Sequence, residues 1–454
     1  MTSRYLELAP TNKTTDNMYA YKNGIASINW TIPEGNYVLD PHSLRITGDI
    51  SFFTDNGAVP TPPLANFTGA MGINQKLGVY SCFQQLIWRS SRHQTTISHE
   101  RNWNRWVSSY LSQVASDDDA ITHLGQSALT MPNWEMSKRT GIDKRGTDNL
   151  FNPNSFCVHL PCGLLNAGQS IPLTSNTLGG LDLSIMLESD ANALQIFPAN
   201  FSTLPDPTAY QGAHYRLENV KLVCSVITPP PDQLSRLLSQ KSGGMTYQSI
   251  HSYYDTANSN NIQVSMNLAL KKVKSLFINF IQSDKLNNLA NDGFATLMPT
   301  NTDGTIANIE KITWLRGGTT YPKLYPHDTN FKESPTITLA DPDIVRDYTN
   351  SITRWSSANS QGTLTNQNRV WLGIPDVVNG AGIPYQFVNC GGVNWGLGVN
   401  YENYLGGEGV DMTKEPFGLA LECGLTSSSA QSLFIFVNAE SNILWNNNGV
   451  QLIN

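Results

Sequence analysis

Residues 215–228 read YRLENVKLVCSVIT, residues 229–244 PPPDQLSRLLSQKSGG and residues 261–270 NIQVSMNLAL. In the first stretch Val220, Leu222, Cys224 and Val226 share one face, with Lys221 and Ser225 on the other, the two-residue period of a strand with one buried side. Pro229 to Pro231 stop that strand. Asp232 can cap a helix, and Leu234, Leu237 and Leu238 give it an i, i+3, i+4 stripe before Gly243 and Gly244 end it. Strand alternation then resumes with Ile262, Val264, Met266, Leu268 and Leu270. A β-half therefore ends, a short helix intervenes, and a second β-half begins. The division expected is an N-terminal arm over 1–30, a first β-unit over 31–229, a linker helix over 230–245 and a second β-unit over 246–454.

Length agrees with a tandem, since 454 residues exceed one ordinary core and suit two units of about 220. Charged residues are only 14% of the chain, against about 25% in an average soluble protein. A polar surface with few ions loses less on being covered by neighbours than one rich in Lys and Glu. Extensive subunit contact is favoured. Net charge is -7, and the basic clusters are small: Lys271, Lys272 and Lys274 on what reads as one strand, and Lys138, Arg139, Lys144 and Arg145 in one loop. Direct sequence-specific nucleic-acid binding is not expected. The six cysteines show no CxxC or metal-finger spacing and read as small apolar residues. The N-terminus lacks an apolar h-region and no run approaches 18 apolar residues, so neither signal-directed secretion nor a membrane-spanning helix is expected.

Residues 1–30 are polar and aperiodic. In SLRITGDISFF, Leu44, Ile46, Ile50 and Phe52 alternate with polar residues and give the first clear strand. Another strand covers Cys82 to Arg89, followed by a helix whose Trp103, Trp106, Val107, Tyr110, Leu111 and Val114 form one stripe. The polar stretch from Ala115 to Asn154 reads as a projecting or contact-making loop. FCVHLP and LDLSIMLES continue the first half. In the second half IEKITWLRGG, TTYPKLYPHD and a helix from Pro342 to Trp355 repeat the order QQLIWRSS, HQTTI and Arg105-Trp106, with Trp314 echoing Trp88. FGLALECGL and SLFIFVNAESNILWNNNGVQLIN close the chain.

No phosphate loop, zinc helix or nucleophile elbow is present. None of the eight histidines forms an HxH pair. His159 and His214, which flank late strands of the first half, read as hydrogen-bonded structure more readily than as metal ligands. Asp117, Asp118 and Asp119 read as a solvated acidic turn, since a calcium loop would need Gly and a distal Glu. Glu100 beside His99 favours the positive end of the following helix over acid–base work. Trp103 and Trp106, which a lectin could stack on a sugar, have the spacing of core residues. No catalytic, metal-binding or cofactor-binding residue is assigned, and the chain is not expected to be an enzyme.

Several segments together resemble a known family. IPEGNYVLDPHSLRITGDISF, GVYSCFQQLIWRSSRHQTTISHERNWNRWV, FCVHLPCGLLNAGQSIPL, YRLENVKLVCSVI, VSMNLALKKVKSLFINF and TTYPKLYPHD occur in the order seen in the double jelly-roll major capsid proteins of icosahedral double-stranded DNA viruses, particularly polinton-like viruses, adintoviruses and virophages. The section 366–415 is Gly- and Asn-rich and carries no matching motif. The resemblance implies an all-β fold of two tandem eight-stranded jelly rolls with short accessory helices. It further implies a homotrimer of pseudo-hexagonal outline located in the virion capsid. Neighbouring capsomers and penton and minor or cement proteins are the implied partners, and an internal membrane is compatible with it. A virion spike or carbohydrate-binding β-sandwich, and a bicupin metalloenzyme, are the alternatives.

Overall fold

The computed structural model describes residues 2–14, 17–23, 26–54, 70–74, 77–114, 127–129, 154–197, 212–240, 243–257, 261–289, 293–294, 296, 309–325, 347, 350–352, 396–402, 409–423, 430–446 and 449–453. The first half contributes β1 (Thr2–Leu8), β2 (Ser27–Ile32), β3 (Val38–Thr54), β4 (Phe83–Ser90), β5 (Thr96–Glu100), β6 (Asn154–Val158), β7 (Leu181–Leu187) and β8 (Ala213–Thr228). These make two antiparallel sheets, ordered β1-β8-β3-β6 and β2-β7-β4-β5. Strand one thus pairs with eight, two with seven, three with six and four with five, the nested ribbon of a jelly roll.

The second half repeats this order. Its strands are β9 (Met245–Ala257), β10 (Asn261–Met266), β11 (Val273–Gln282), β12 (Ile309–Arg316), β13 (Thr319–Tyr325), β14 (Gly396–Asn400), β15 (Phe417–Cys423) and β16 (Gln431–Asn446). The sheets run β9-β16-β11-β14 and β10-β15-β12-β13, each label eight higher than its counterpart. The chain is a double jelly roll. The tryptophan echo is a structural one: Trp88 lies across from Leu183 and Trp314 across from Leu419, at matching places in the two rolls. Both indoles are buried.

Alternation explains each roll's interior. Along LDLSIML in β7, Leu181, Leu183, Ile185 and Leu187 are buried and the residues between them half-exposed. Leu44, Ile46, Ile50 and Phe52 of β3 meet Leu217, Leu222, Cys224 and Val226 of β8 in the same core. Helix α1 (Trp103–Val114) follows β5, and α2 (Pro231–Gln240) joins the rolls. Gly243 and Gly244, with φ of +103° and +150°, supply the turn out of α2 that an L-residue resists.

Three expectations change. Residues 1–30 are not simply an arm: β1 pairs with β8 over Thr2↔Thr228 to Leu8↔Leu222, and β2 lies in the opposite sheet beside β7. The sequence concealed β1 because an edge strand is covered on one side only, and residues 2–5 are exposed. The alternation over 262–270 is not one strand, since β10 ends at Met266 and Ala269 adopts φ +51°. Lys271 and Lys272 are consequently off the strand, while Lys274 on β11 is buried and paired with Glu402 at 3.1 Å. Of the stretch 115–154 only 127–129 and Asn154 are described; Ala128 and Leu129 are buried in the first roll's core, and Ala128 accepts a bond from the Val79 N–H at 2.8 Å. Asp117 to Asp119, the loop basic cluster, most of the helix expected over 342–355 and most of 366–415 lie outside the described residues.

Candidate assembly interface

Every residue of β11 is buried. A strand in a two-sheet roll normally hides one face, so its other face must be covered from outside the two sheets; residues of the second half itself cover part of it, Ser275 donating to the Ser351 carbonyl at 2.8 Å. Leu276, Ile278 and Phe280 point into the second roll's core together with Leu433, Ile435 and Val437 of β16. The alternate residues Phe277, Ile281, Phe434 and Phe436 instead join the core cluster of the first roll, with Met245, Tyr247 and Ile250 of β9. This is an apolar seam between the rolls. Each such side chain, fully buried, contributes roughly 1.5–3 kcal/mol.

Across the seam stand α1, β5 and the turn 160–165 of the first roll. Arg105 on α1 is 5% exposed. Its guanidinium lies over the rings of Phe434 (4.4 Å) and Phe294 (4.9 Å) and donates to the Gly293 carbonyl. A desolvated cation is acceptable there because two ring faces and a carbonyl replace its water. Asn279 of β11 donates to Ser109 of α1 at 2.6 Å, and Asn102 to Ser252 of β9 at 3.1 Å. The Tyr247 hydroxyl donates to the Ile97 carbonyl at 2.7 Å. The backbones approach closely at Gly163, where a Cβ would stand 1.9 Å from the Gln248 carbonyl oxygen.

Glu100 ends β5 inside this seam. It is 0% exposed, and its Oε1 accepts the Gly163 N–H at 3.0 Å and the Ser98 hydroxyl at 3.3 Å. Burial pushes its carboxyl from the usual 4.5 up to about 8. The expected role at a helix N-terminus is not what the structure gives, because Glu100 faces Leu86 across the strand pair and belongs to the strand before the helix.

The corresponding face of the first roll is different. Its outward rows on β3 and β8 pair Ser51 with Arg216, Asp49 with Glu218, Thr47 with Lys221 and Arg45 with Val223. Glu218 accepts from the Ser51 hydroxyl and, at 2.6 Å, from the Arg216 guanidinium; Lys221 pairs with Glu7 of β1. Tyr5 on β1 is 79% exposed. This sheet face is polar and open where its counterpart in the second roll is apolar and covered.

The other residues singled out by sequence do not converge. His214 pairs with Phe53 near one end of β3 and bonds Asp190 at 2.8 Å, whereas His159 follows Val158, which pairs with Ile46. At 3.3 Å rise per residue the two histidines are roughly 20 Å apart, too far for one metal. His99 contacts Gln85 at 2.9 Å on the opposite side of β5 from Glu100. Trp103 and Trp106 are buried, Trp103 donating to the Pro161 carbonyl at 2.9 Å and Trp106 stacking on Tyr110 at 4.9 Å. Neither offers a face to a sugar. Among the described residues no cluster of three or more His, Cys, Asp and Glu could hold a metal, and no helix is long and apolar enough to cross a membrane.

Sequence reasoning missed the seam, although a signal existed. VKSLFINFIQ in β11 and SLFIFVNA in β16 are near-continuous apolar runs, whereas the matching SLRITGDISFF in β3 alternates. Unbroken runs mark strands covered on both faces.

No family model matches the sequence, and no curated protein matches it. Solved structures do. The PBCV-1 VP54 structure, fitted into a reconstruction of the virophage Sputnik, is similar with a TM-score of 0.56 at 9% identity, covering 100% of this chain and 97% of that one. The Faustovirus major capsid protein gives 0.55 at 9% identity, covering 98% and 90%. The structure of the Sputnik virophage gives 0.54 at 11% identity, covering 100% and 88%. At such identities the likeness is one of fold, and it runs the length of both chains.

Proposed function

We propose that this chain is a major capsid protein, forming homotrimeric, pseudo-hexagonal capsomers that build the icosahedral shell of a double-stranded DNA virus. The observation that carries this reading is the seam: two like rolls pack head to tail, the helix-and-turn side of the first against the sheet face of the second. A head-to-tail contact between like units uses one face of each kind and leaves one of each kind over, and the sheet face of the first roll, polar and open, is one of these. A second chain can fill them by the same geometry. Three chains then place six rolls in a ring, and closure removes both free faces. The end-to-end likeness to capsid proteins supports the same reading, as does the sparsely charged composition.

In this reading the chain divides at the linker helix, with the rolls over 31–229 and 246–454, and the N-terminal segment completes the first with β1 and the start of β2. It works by shape and contact and carries no catalytic residue. Neighbouring capsomers, penton and minor or cement proteins are its partners in the virion, with any membrane lying beneath the shell. Light scattering with negative-stain imaging of the purified protein tests it: trimers of hexagonal outline are expected, and a monomer or an elongated fibre would sink the proposal.

A further inference from the structure

We propose that Glu100 is a proton lock on the seam between the two rolls: the closed seam holds its carboxyl protonated, opening releases that proton to solvent, and rising pH therefore favours the open seam. The seam lies within one chain, so this inference goes beyond the assembly reading and can be tested on monomer or trimer alike.

The geometry is that of a carboxyl with nowhere to place a negative charge. Glu100 sits where β5, the turn 160–165 and β9 meet, fully buried, and its Oε2 has no hydrogen-bond partner. From β4 it faces Leu86. From the turn come Cys162 and the Gly163 N–H, and from β9 comes Tyr247, whose hydroxyl is committed to the Ile97 carbonyl. On its own strand Ser98 donates to Oε1, while His99 turns away toward Gln85; farther along β9, His251 contacts Ser249 at 2.8 Å. No ion pair to Glu100 is formed among the described residues. An unpaired buried carboxylate is far more costly than its neutral acid, in accord with the shift of this group to about 8.

The sign follows from proton counting. Closed, the group ionises near 8; opened to water, it ionises near its usual 4.5. Between those values the open form binds one proton fewer, so each pH unit raises the open-to-closed ratio about tenfold, and the effect levels off above the closed-form value. Neighbouring groups act outside a usable window. Burial depresses His99 and His251 below 6.5, so they favour opening only as pH falls beneath that value. Burial pushes Cys162 and Tyr247 above 9.0 and 10.0, so they enter only at higher pH. From about pH 6.5 to 8, Glu100 alone of this group sets the slope.

Native-state hydrogen exchange of the β5 and β9 amides, corrected for intrinsic rates, reads the opening directly. In the wild-type chain the opening equilibrium should rise on the order of 15-fold between pH 6.5 and 8 and flatten above that. Glu100→Gln keeps the shape and the acceptor for Gly163 but cannot ionise, and should lose that rise. Equal pH dependence in the two proteins would overturn the proposal. If E100Q does not fold, infrared difference spectra of the wild type replace it: a protonated-carboxyl band vanishing near pH 8 supports the lock, and no such band at pH 6.5 refutes it.

Discussion

Gly163 shows how one residue sets the distance between two rolls. Its missing side chain admits the Gln248 carbonyl to a place where a Cβ would stand 1.9 Å away, and the obstruction is backbone, which cannot swing aside as a side chain can. Gly163→Ala must therefore push β9 off the turn or distort it, weakening the Glu100 and Tyr247 contacts beside it. A loss of about 1–3 kcal/mol is expected from such overpacking, visible as a melting temperature lowered by several degrees. An unchanged melt would mean that the turn relaxes freely. Gly163 could be read in the sequence only as one glycine of thirty-five. Glu100 was legible as a titratable residue, but its environment was not, because Gly163, Cys162 and Tyr247 reach it from distant parts of the chain.

At the scale of the element, β1 is the instructive case. Its seven residues pair with the outer edge of β8, and Leu6 and Leu8 pack on the first roll's core. Deleting residues 2–8 should consequently lower the melting temperature and promote aggregation through the bared edge of β8, whereas removing a mere arm would leave both unchanged. Differential scanning calorimetry with light scattering distinguishes these outcomes. Strands β3, β7 and β8 could be read from sequence because one wet face and one dry face imprint a period of two. Strand β1 could not, being wet on most of its length. In β11 the opposite obstacle applied: with both faces dry, the period vanished into an apolar run.

For the whole molecule, the contrast between the two sheet faces matters most. The second roll's face is filled by Phe277, Phe434 and Phe436 and closed by the first roll together with residues 350–352; the first roll's face carries Arg45, Asp49, Arg216, Glu218 and Lys221, with Tyr5 at its edge. Polar faces that meet and part during assembly avoid the exposed apolar area that would aggregate beforehand. Tyr5→Glu should accordingly leave the monomer's melt nearly unchanged, since exposed substitutions usually shift stability by less than about 0.5 kcal/mol, yet reduce trimer yield in light scattering. Trimers at wild-type yield would remove Tyr5 from the contact. The order of β-segments, the linker helix and the repetition of one plan followed from sequence alone, because burial periodicity and turn residues are local properties that survive in the linear text. Which faces of the two rolls meet, why β11 is buried on both sides and where Glu100 ends up were decided only by the tertiary structure, since each depends on residues far apart in the chain being brought within a few ångströms of one another.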